Sequence, residues 1–517
     1  MSNKRHHLTE LALLSLTGVL SLGLSACQNA KVDPYNLDFS VDTKGTSIDF
    51  WTPFGSVYQA ALEEVISEFT KETGITVNME TKGGYDALNN AITLGASTYS
   101  IPEVTLAYPD HEATYVSQDI IVRLDYYEEK DGDDTYKFSD FYKDYMTENQ
   151  SIEPKEDGSG YYTLGVPFNK STEVMVYNKT FFDWVVTQTG GTDIKVPTTW
   201  DEVNAVGPKI TSFLTPYFGY IIGSDGKKYA SSTAMPSGVT SFLDFSSVQA
   251  QYFKPFCYDS QANYFITTCR QWGGSYTTFD SKTQKGYLAF DSDEVKAGLA
   301  AMKSYHDNGA IAIPSEFGGT SKYSSSYFKV LQSVMAIGSS AGVENSCPSG
   351  DAFKVGVAPL PYHVTDKKYV ISQGTNLCLL DKGTAVQRVA AWKLIKYLSK
   401  NLNGMFAAAT DYFPSCDAAA KSSEYQAELD RDNPTGKTGE DIPSTAQQVK
   451  YYSADVNQNT YLNDSTGWTK FVDPGFTGSS TIREAVNSAM GLLFVDNKTP
   501  AEVISSLYQQ LGDYVKK

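Results

Sequence analysis

Residues 338–342 read Gly-Ser-Ser-Ala-Gly behind an apolar run. As Gly-x-Ser-x-Gly they fit the pattern that seats a nucleophilic serine on a strained strand-to-helix turn. Acyl transfer of that kind needs a helix directly after Ser340, then an acid and a histidine further along. Here 344–351 reads ENSCPSGD, a loop broken by Pro348 and Gly350, and only His363 follows, close behind. The serine pattern therefore argues poorly for catalysis. His111, His306 and His363 are scattered without metal-ligand spacing. Gly436-Lys437-Thr438 lacks the upstream glycine of a phosphate-binding loop. Asp131-Gly132-Asp133-Asp134 lacks both the calcium-loop register and its twelfth-position Glu. Beyond Cys27 the cysteines are Cys257, Cys269, Cys347, Cys378 and Cys416, without CxxC spacing and odd in number. A Cys257–Cys269 disulfide is open, although a chain of this size does not depend on one. A carboxylate pair for glycoside hydrolysis also stays open, because Asp and Glu are numerous and their separations unseen. No metal or cofactor is called for.

What remains is recognition. The chain carries 35 Tyr, 26 Phe and 6 Trp, and flat rings with polar tips are what a carbohydrate cleft uses. A net charge of −18 argues against nucleic acid, which needs clustered Lys and Arg. With 517 residues there is chain enough for two or more lobes with cores of their own.

The elements that would position such groups open as βαβ. Residues 48–51 form a strand. Val57, Ala61, Leu62, Val65, Ile66 and Phe69 recur at helical spacing up to Gly74, and strands follow over 75–79 and 104–108 with a helix over 85–94 between them. Such alternation implies a parallel sheet covered on both faces, with ligands beyond the carboxyl ends of strands. Trp51, Tyr108 and Asp110 then lie near a cleft. Residues 125–157 are acidic and Tyr-rich, a surface excursion. Residues 161–182 read as a strand, a Pro-Phe-Asn turn, a second strand over 172–177 and a helix from Lys179, with an exposed polar set Asn169, Lys170, Ser171 and Thr172 between the strands. Asp291 is expected to cap a helix closing at Gly309, a strand over 330–337 to lead into 338–342, and strands 355–361 and 370–380 to pair ahead of a helix over 385–398.

The N-terminus reads as an address. Lys4 and Arg5 precede a short apolar run over 8–24, and Leu24-Ser25-Ala26-Cys27 resembles a bacterial lipobox, which implies a signal peptide over 1–26 and a lipidated Cys27. Residues 27–46 would be a tether. No other segment has the length and apolarity of a transmembrane helix.

Several blocks occur in an order that resembles a known family: Pro167-Phe168-Asn169-x-Ser171-Thr172 with Tyr177-Asn178-Lys179, Pro197-x-Thr199-Trp200-Asp201-Glu202, the aromatic-glycine segment 271–275, FDSDEVKAGL over 290–299, Ser339-Ser340, VGVAPLP over 355–361, Tyr412-x-Pro414 and a terminal helix pair. Over about 46–515 the chain resembles the family 1 type of extracellular solute-binding proteins, receptors of ABC importers for sugars and glycerol 3-phosphate. The resemblance implies an α/β, two-lobe periplasmic-binding-protein-like (Venus flytrap) fold with a hinge and discontinuous lobes, 47–173 plus 336–381 and 174–335 plus 382–517. It implies ligand contacts from Tyr85, Ser171, Trp272, Ser339 or Ser340, Gly374, Tyr412 and Arg483. Asp411 replaces the family's glycine before Tyr412, and the acidic glycerol contact has no clear counterpart. A phosphate would be met by the fork of Arg483, whose plain alternative is an exposed residue paired with Glu484. The implied protein is no enzyme. It is a monomeric lipoprotein that hands a sugar, polyol or phosphate ester to the transmembrane subunits of a permease, the rival being a secreted hydrolase of carbohydrate or ester substrates.

Overall fold

A computed structural model describes residues 33–516 apart from 192, 281 and 284, and leaves the Glu440 side chain aside. The expected signal peptide and Cys27 lie outside the described residues. The fold hangs on one nine-stranded sheet. Its strands are β1 (Ser47–Thr52), β2 (Thr76–Thr81), β3 (Val104–Ala107), β4 (Val166–Asn178), β5 (Phe256–Tyr258), β6 (Met335–Ser339), β7 (Val355–Ala358), β8 (Lys368–Leu379) and β9 (Trp468–Phe471). The order is β2-β1-β3-β8-β4-β6-β5, with β7 also beside β4 and β9 beside β8. The opening is the expected parallel βαβ. Helix Ser56–Thr73 buries Ala61, Leu62, Val65, Ile66 and Phe69 and ends at Gly74, whose φ of 72° only glycine adopts freely.

The expected Pro-Phe-Asn turn does not exist. β4 runs unbroken through it for 13 residues. Pro167 is tolerated because β8 shifts register between Thr375 and Asn376, opposite it. Asn169, Lys170, Ser171 and Thr172, expected to be exposed, are buried, none above 4 %. Nor do 355–361 and 370–380 pair with each other: β8 lines β4 along Val166–Thr172 and β7 lines it along Met175–Asn178, end to end.

Two cores flank this sheet. The first gathers Phe50, Leu62, Leu106, Val166 and Phe168 with Leu377, Leu379, Trp392 and Phe406. The second gathers Val174, Phe181, Trp200, Tyr264, Leu299 and Ile337 with Val355, Val370, Val449 and Leu493. The chain changes lobe within β4 between Phe168 and Val174, within β8 between Ile371 and Leu377, and again between Ala419 and Val449. Core membership thus groups the chain differently from the expected division at 336 and 382. Strand β7 and its neighbours complete the second lobe's half of β4, and the helix Ala385–Lys396 packs Trp392 against Tyr127 and Tyr136 of the first.

Residues 125–157 are no surface excursion. They bury Tyr127, Tyr136, Phe138, Phe141 and Tyr145, and Asp131 accepts from Trp392 Nε1 (2.9 Å) and from Lys396. Residues 33–46, expected as tether, pack on the first lobe instead: Tyr127 donates to the Pro34 carbonyl at 2.9 Å and Phe39 meets its ring edge-on. Ser292 rather than Asp291 caps the helix Asp293–Asp307. The strand expected from residue 330 begins only at Met335. Cys257 and Cys269 are buried and unbridged, as are Cys378 and Cys416, and Cys347 is also free. Among the described residues no helix is long and apolar enough to cross a membrane.

Candidate functional site

Where β4 and β8 cross between the cores, their side chains turn from apolar to polar. Lys170, fully buried, gives its three donors to Glu148, the Gly374 carbonyl (3.2 Å) and Asn376 Oδ1 (3.2 Å). Asn376 Nδ2 donates in turn to Glu112 (3.0 Å), whose carboxyl burial pushes up to about 8. Gly374 has φ of 95°, and a Cβ there would stand 1.9 Å from the Asn169 carbonyl. Its glycine is needed for strand approach. Further along, Lys470 of β9 donates to Tyr145 (3.0 Å) and Asn457, and burial lowers its ammonium to about 7.

The first lobe meets this belt with a wall of rings. Tyr85 at the start of helix Tyr85–Gly95 shares a hydrogen bond with Tyr412 (3.2 Å), accepts from Asn169 Nδ2 (3.2 Å) and packs against Tyr108, centroids 4.9 Å apart. Tyr58 packs on Tyr412 at 5.4 Å and donates to the Ala341 carbonyl at 2.7 Å. Phe54 and Phe406 back the set. Burial raises the Tyr85 and Tyr108 phenols, so these hydroxyls stay protonated and available to hydrogen-bond.

The second lobe contributes a polar wall. Glu173, the first β4 residue on its side, accepts from Tyr258 and from Asn263 Nδ2 (2.9 Å), while burial lifts its carboxyl to about 8. Asn263 Oδ1 accepts from Arg483. Glu173, Asp259, Asn263, Ser324, Ser339 and Gln373 line a cavity of about 510 Å³. Asp259 accepts from Ser324 Oγ (3.1 Å), and desolvation raises it to about 6.

Of the residues singled out from sequence, Tyr85 and Tyr412 touch, Ser339 lines the cavity, and Arg483 is half-buried beside Asn263 rather than paired with Glu484. Ser171 is buried on β4 opposite Gln373. Asp110 is half-buried and accepts from the His111 backbone (3.0 Å). Trp51 is half-buried against the first core, with Lys82 Nζ 3.5 Å over its face. Trp272 belongs to the second core, stacked at 4.1 Å on His363. Ser340 is buried, accepts from the Thr172 backbone (3.1 Å) and begins a 3-10 helix, Ser340–Ser346, instead of the α-helix a nucleophile turn requires. Sequence reasoning missed Tyr58, Glu173, Asp259 and Asn263. Glu173 sits in an apolar strand and only its buried partners distinguish it. Among the described residues no cluster of His, Cys, Asp and Glu could hold a metal.

Asp411, where the sequence departs from the family wording, lies 3.7 Å from Lys450, which also meets Glu344 at 3.2 Å. Burial, then the Glu344 charge, raises the Asp411 carboxyl to about 7. A carboxyl raised in the folded state contributes stability that is full below its unfolded pKa, about 4, and fades as pH climbs through 7. Asp411→Asn should therefore show a flatter decline of melting temperature between pH 4.5 and 7.5 than the wild type, and an unchanged slope would contradict the assignment.

Residues 64–435 match a family model described as bacterial extracellular solute-binding protein. No curated protein sequence matches. Among solved structures the chain is similar to UgpB from Mycobacterium tuberculosis in complex with glycerophosphocholine, at 16 % identity and TM-score 0.63 over 90 % of this chain and 98 % of that one. It is similar also to Lmo0181 from Listeria monocytogenes in complex with cycloalternan, at 17 % and 0.62 over 91 % and 100 %. The GacH receptor of Streptomyces glaucescens follows at 15 % and 0.60 over 91 % and 99 %. At such identities these likenesses speak for the two-lobe fold alone.

Proposed function

The chain belongs to the bacterial extracellular solute-binding proteins, and from that premise we propose that it is the substrate-binding lipoprotein of an ABC importer, anchored through Cys27, which captures a carbohydrate or related polyol and presents it to the permease's transmembrane subunits as a monomer. The observation that carries this reading is a cluster of rings on the first lobe and a polar cavity on the second, both at the β4–β8 crossing. Tyr58, Tyr85, Tyr108 and Tyr412 offer ring faces and hydroxyls, and Asn263, Arg483, Ser339 and Asp259 offer directional hydrogen bonds. Rings pack on the apolar faces of a sugar while polar groups take its hydroxyls. A solute touching both walls favours the closed arrangement by its differential contacts, and no chemistry is required.

A neutral polyhydroxyl solute fits better than a phosphate ester. The cavity lining sets the single cation Lys329 against the Asp259 carboxyl, and one nitrogen of Arg483 is already committed to Asn263. Acarbose with the GacH receptor and cycloalternan with Lmo0181 are ligands of that class, whereas glycerophosphocholine with UgpB is a phosphate ester. Glycerol 3-phosphate remains the specific variant, with Arg483 as its contact.

Thermal shift and calorimetry against maltose-type sugars, polyols, glycerol 3-phosphate and glycerophosphocholine test the reading. A solute at a hundred times its Kd should stabilise the protein by about 2.7 kcal/mol. Tyr412→Ala should weaken binding by about tenfold or more, the loss of one buried ring contact of about 1.5 kcal/mol. Incubation with glycoside and ester substrates should give no product. Turnover, or fluorophosphonate labelling of Ser340, would revive the hydrolase.

A further inference from the structure

We infer that the first lobe is held against the membrane by a leash of about six residues, with the face built by residues 33–46 and helix Asp125–Asp131 turned to the lipid, so that the second lobe performs the hinge motion. The inference rests on the proposed lipid anchor at Cys27 and adds to it a fixed orientation.

Its basis is the docking of the segment read from sequence as a tether. Besides the contacts of Pro34 and Phe39 with Tyr127, the Tyr35 hydroxyl accepts from the Arg123 backbone (3.1 Å) and the Tyr35 ring meets Tyr126 edge-on at 5.6 Å. Leu37 packs on the first core, Lys393 donates to Thr43 Oγ1 (2.9 Å), and the Gly45 N–H bonds to the Gly74 carbonyl (2.9 Å). The segment is part of the lobe from its first described residue onward. From Cys27 to Asp33 is six residues, and whatever their conformation they span at most about 20 Å. A free tether reaching to residue 46 would have spanned up to about 65 Å. The first lobe, with some two hundred residues, is roughly 40 Å across. The leash is thus shorter than the body it holds, and the opposite face of the lobe cannot turn to the bilayer.

Attraction to acidic lipid is not what keeps this face there. Most of its cations are already matched, Arg123 with Glu153 and Glu156, Lys155 with Asp125 at 3.0 Å, Lys130 with Glu129 at 2.7 Å, and the exposed Lys44 is outnumbered by the exposed Asp33, Asp38 and Asp42 of the same segment. The orientation is therefore independent of lipid charge.

The mature chain beginning at Cys27 can be coupled through that thiol to a maleimide lipid in phosphatidylcholine vesicles, with or without phosphatidylglycerol. Burial pushes the Cys347 thiol up to about 12 and the other four cysteines are buried, so coupling at neutral pH goes to Cys27. A dye carried on an azide-bearing residue at the exposed position 36, or in the second lobe at 496, reports energy transfer to an acceptor in the headgroups. Transfer at 36 should exceed that at 496 by at least about twofold, given a leash of half the lobe's width. It should be the same in both lipids and fall when a Gly-Ser spacer of about twenty residues follows Gln28. Equal transfer at the two positions, or indifference to the spacer, overturns the orientation. Because the lipid is attached chemically, these outcomes do not depend on lipidation in the cell. Metabolic labelling with a palmitate analogue, lost in Cys27→Ala, tests the anchor itself.

Discussion

Gly374→Ala should cost about 3–5 kcal/mol of stability and abolish solute binding, the larger of the effects expected here. Two independent penalties meet at this position. The backbone φ of 95° lies where an L side chain is strained, and the added methyl would stand 1.9 Å from the Asn169 carbonyl. The obstacle is backbone of the neighbouring strand, not the end of a flexible side chain, so relief requires β4 and β8 to part where the lobes join. Parting them also withdraws the Gly374 carbonyl from Lys170 and displaces Asn169 from Tyr85. Urea unfolding measures the first effect and calorimetry with the wild-type solute the second. A variant within 0.5 kcal/mol of wild type that still binds would show the strands to be loosely coupled at the hinge.

The second large effect concerns Lys170. Lys170→Met removes the cation from a buried pair with Glu148, whose side chain is 2 % exposed, and leaves Asn376 Oδ1 and the Gly374 carbonyl without their shared donor. Breaking one partner of a buried pair costs about 3–5 kcal/mol. Burial already raises the Glu148 carboxyl against the pull of Lys170. Without the lysine it rises further, so the variant should regain stability as pH falls toward the unfolded carboxyl's pKa, about 4.3, and lose it as pH rises. Adding Glu148→Gln to Lys170→Met should recover part of the loss at neutral pH. If the double variant is as unstable as the two single losses summed, the pair is not the unit described.

Both positions were visible in the sequence, but for other reasons. Gly374 and Lys170 sit in blocks whose wording resembles ligand-lining segments, and the structure adds that their first task is to let two strands cross between lobes. Local signals were sound where structure is local. The 3.6-residue spacing from Val57 to Phe69 and the stop at Gly74 describe a helix whose determinants lie within a few residues. They failed where pairing is remote. Pro167-Phe168-Asn169 has turn chemistry, yet β8, whose Thr375 lies opposite Asn169 206 residues further on, holds it extended. Asn169, Lys170 and Thr172 look like solvent residues until Thr375, Asn376, Glu148 and Ile371 are found around them. Trp272 shows how little a short aromatic-glycine match says of surroundings: its ring packs in the second core, stacked on His363.

The interleaving of the two cores also sets a timetable for folding. The first core begins with Ile48 but includes Leu377 to Ala419, and the second begins with Val174 but includes Val449 to Leu511. Neither can close while the chain is still emerging, because each waits for residues synthesised after most of the other. β4 has no completed edge until β8 arrives, and the loop between them must be closed against chain entropy before their pairing returns anything. During that interval the chain has local helices and no finished core. A polypeptide that must cross a membrane extended and assemble on the far side is served by such an ordering, since its topology delays compaction until passage is nearly complete.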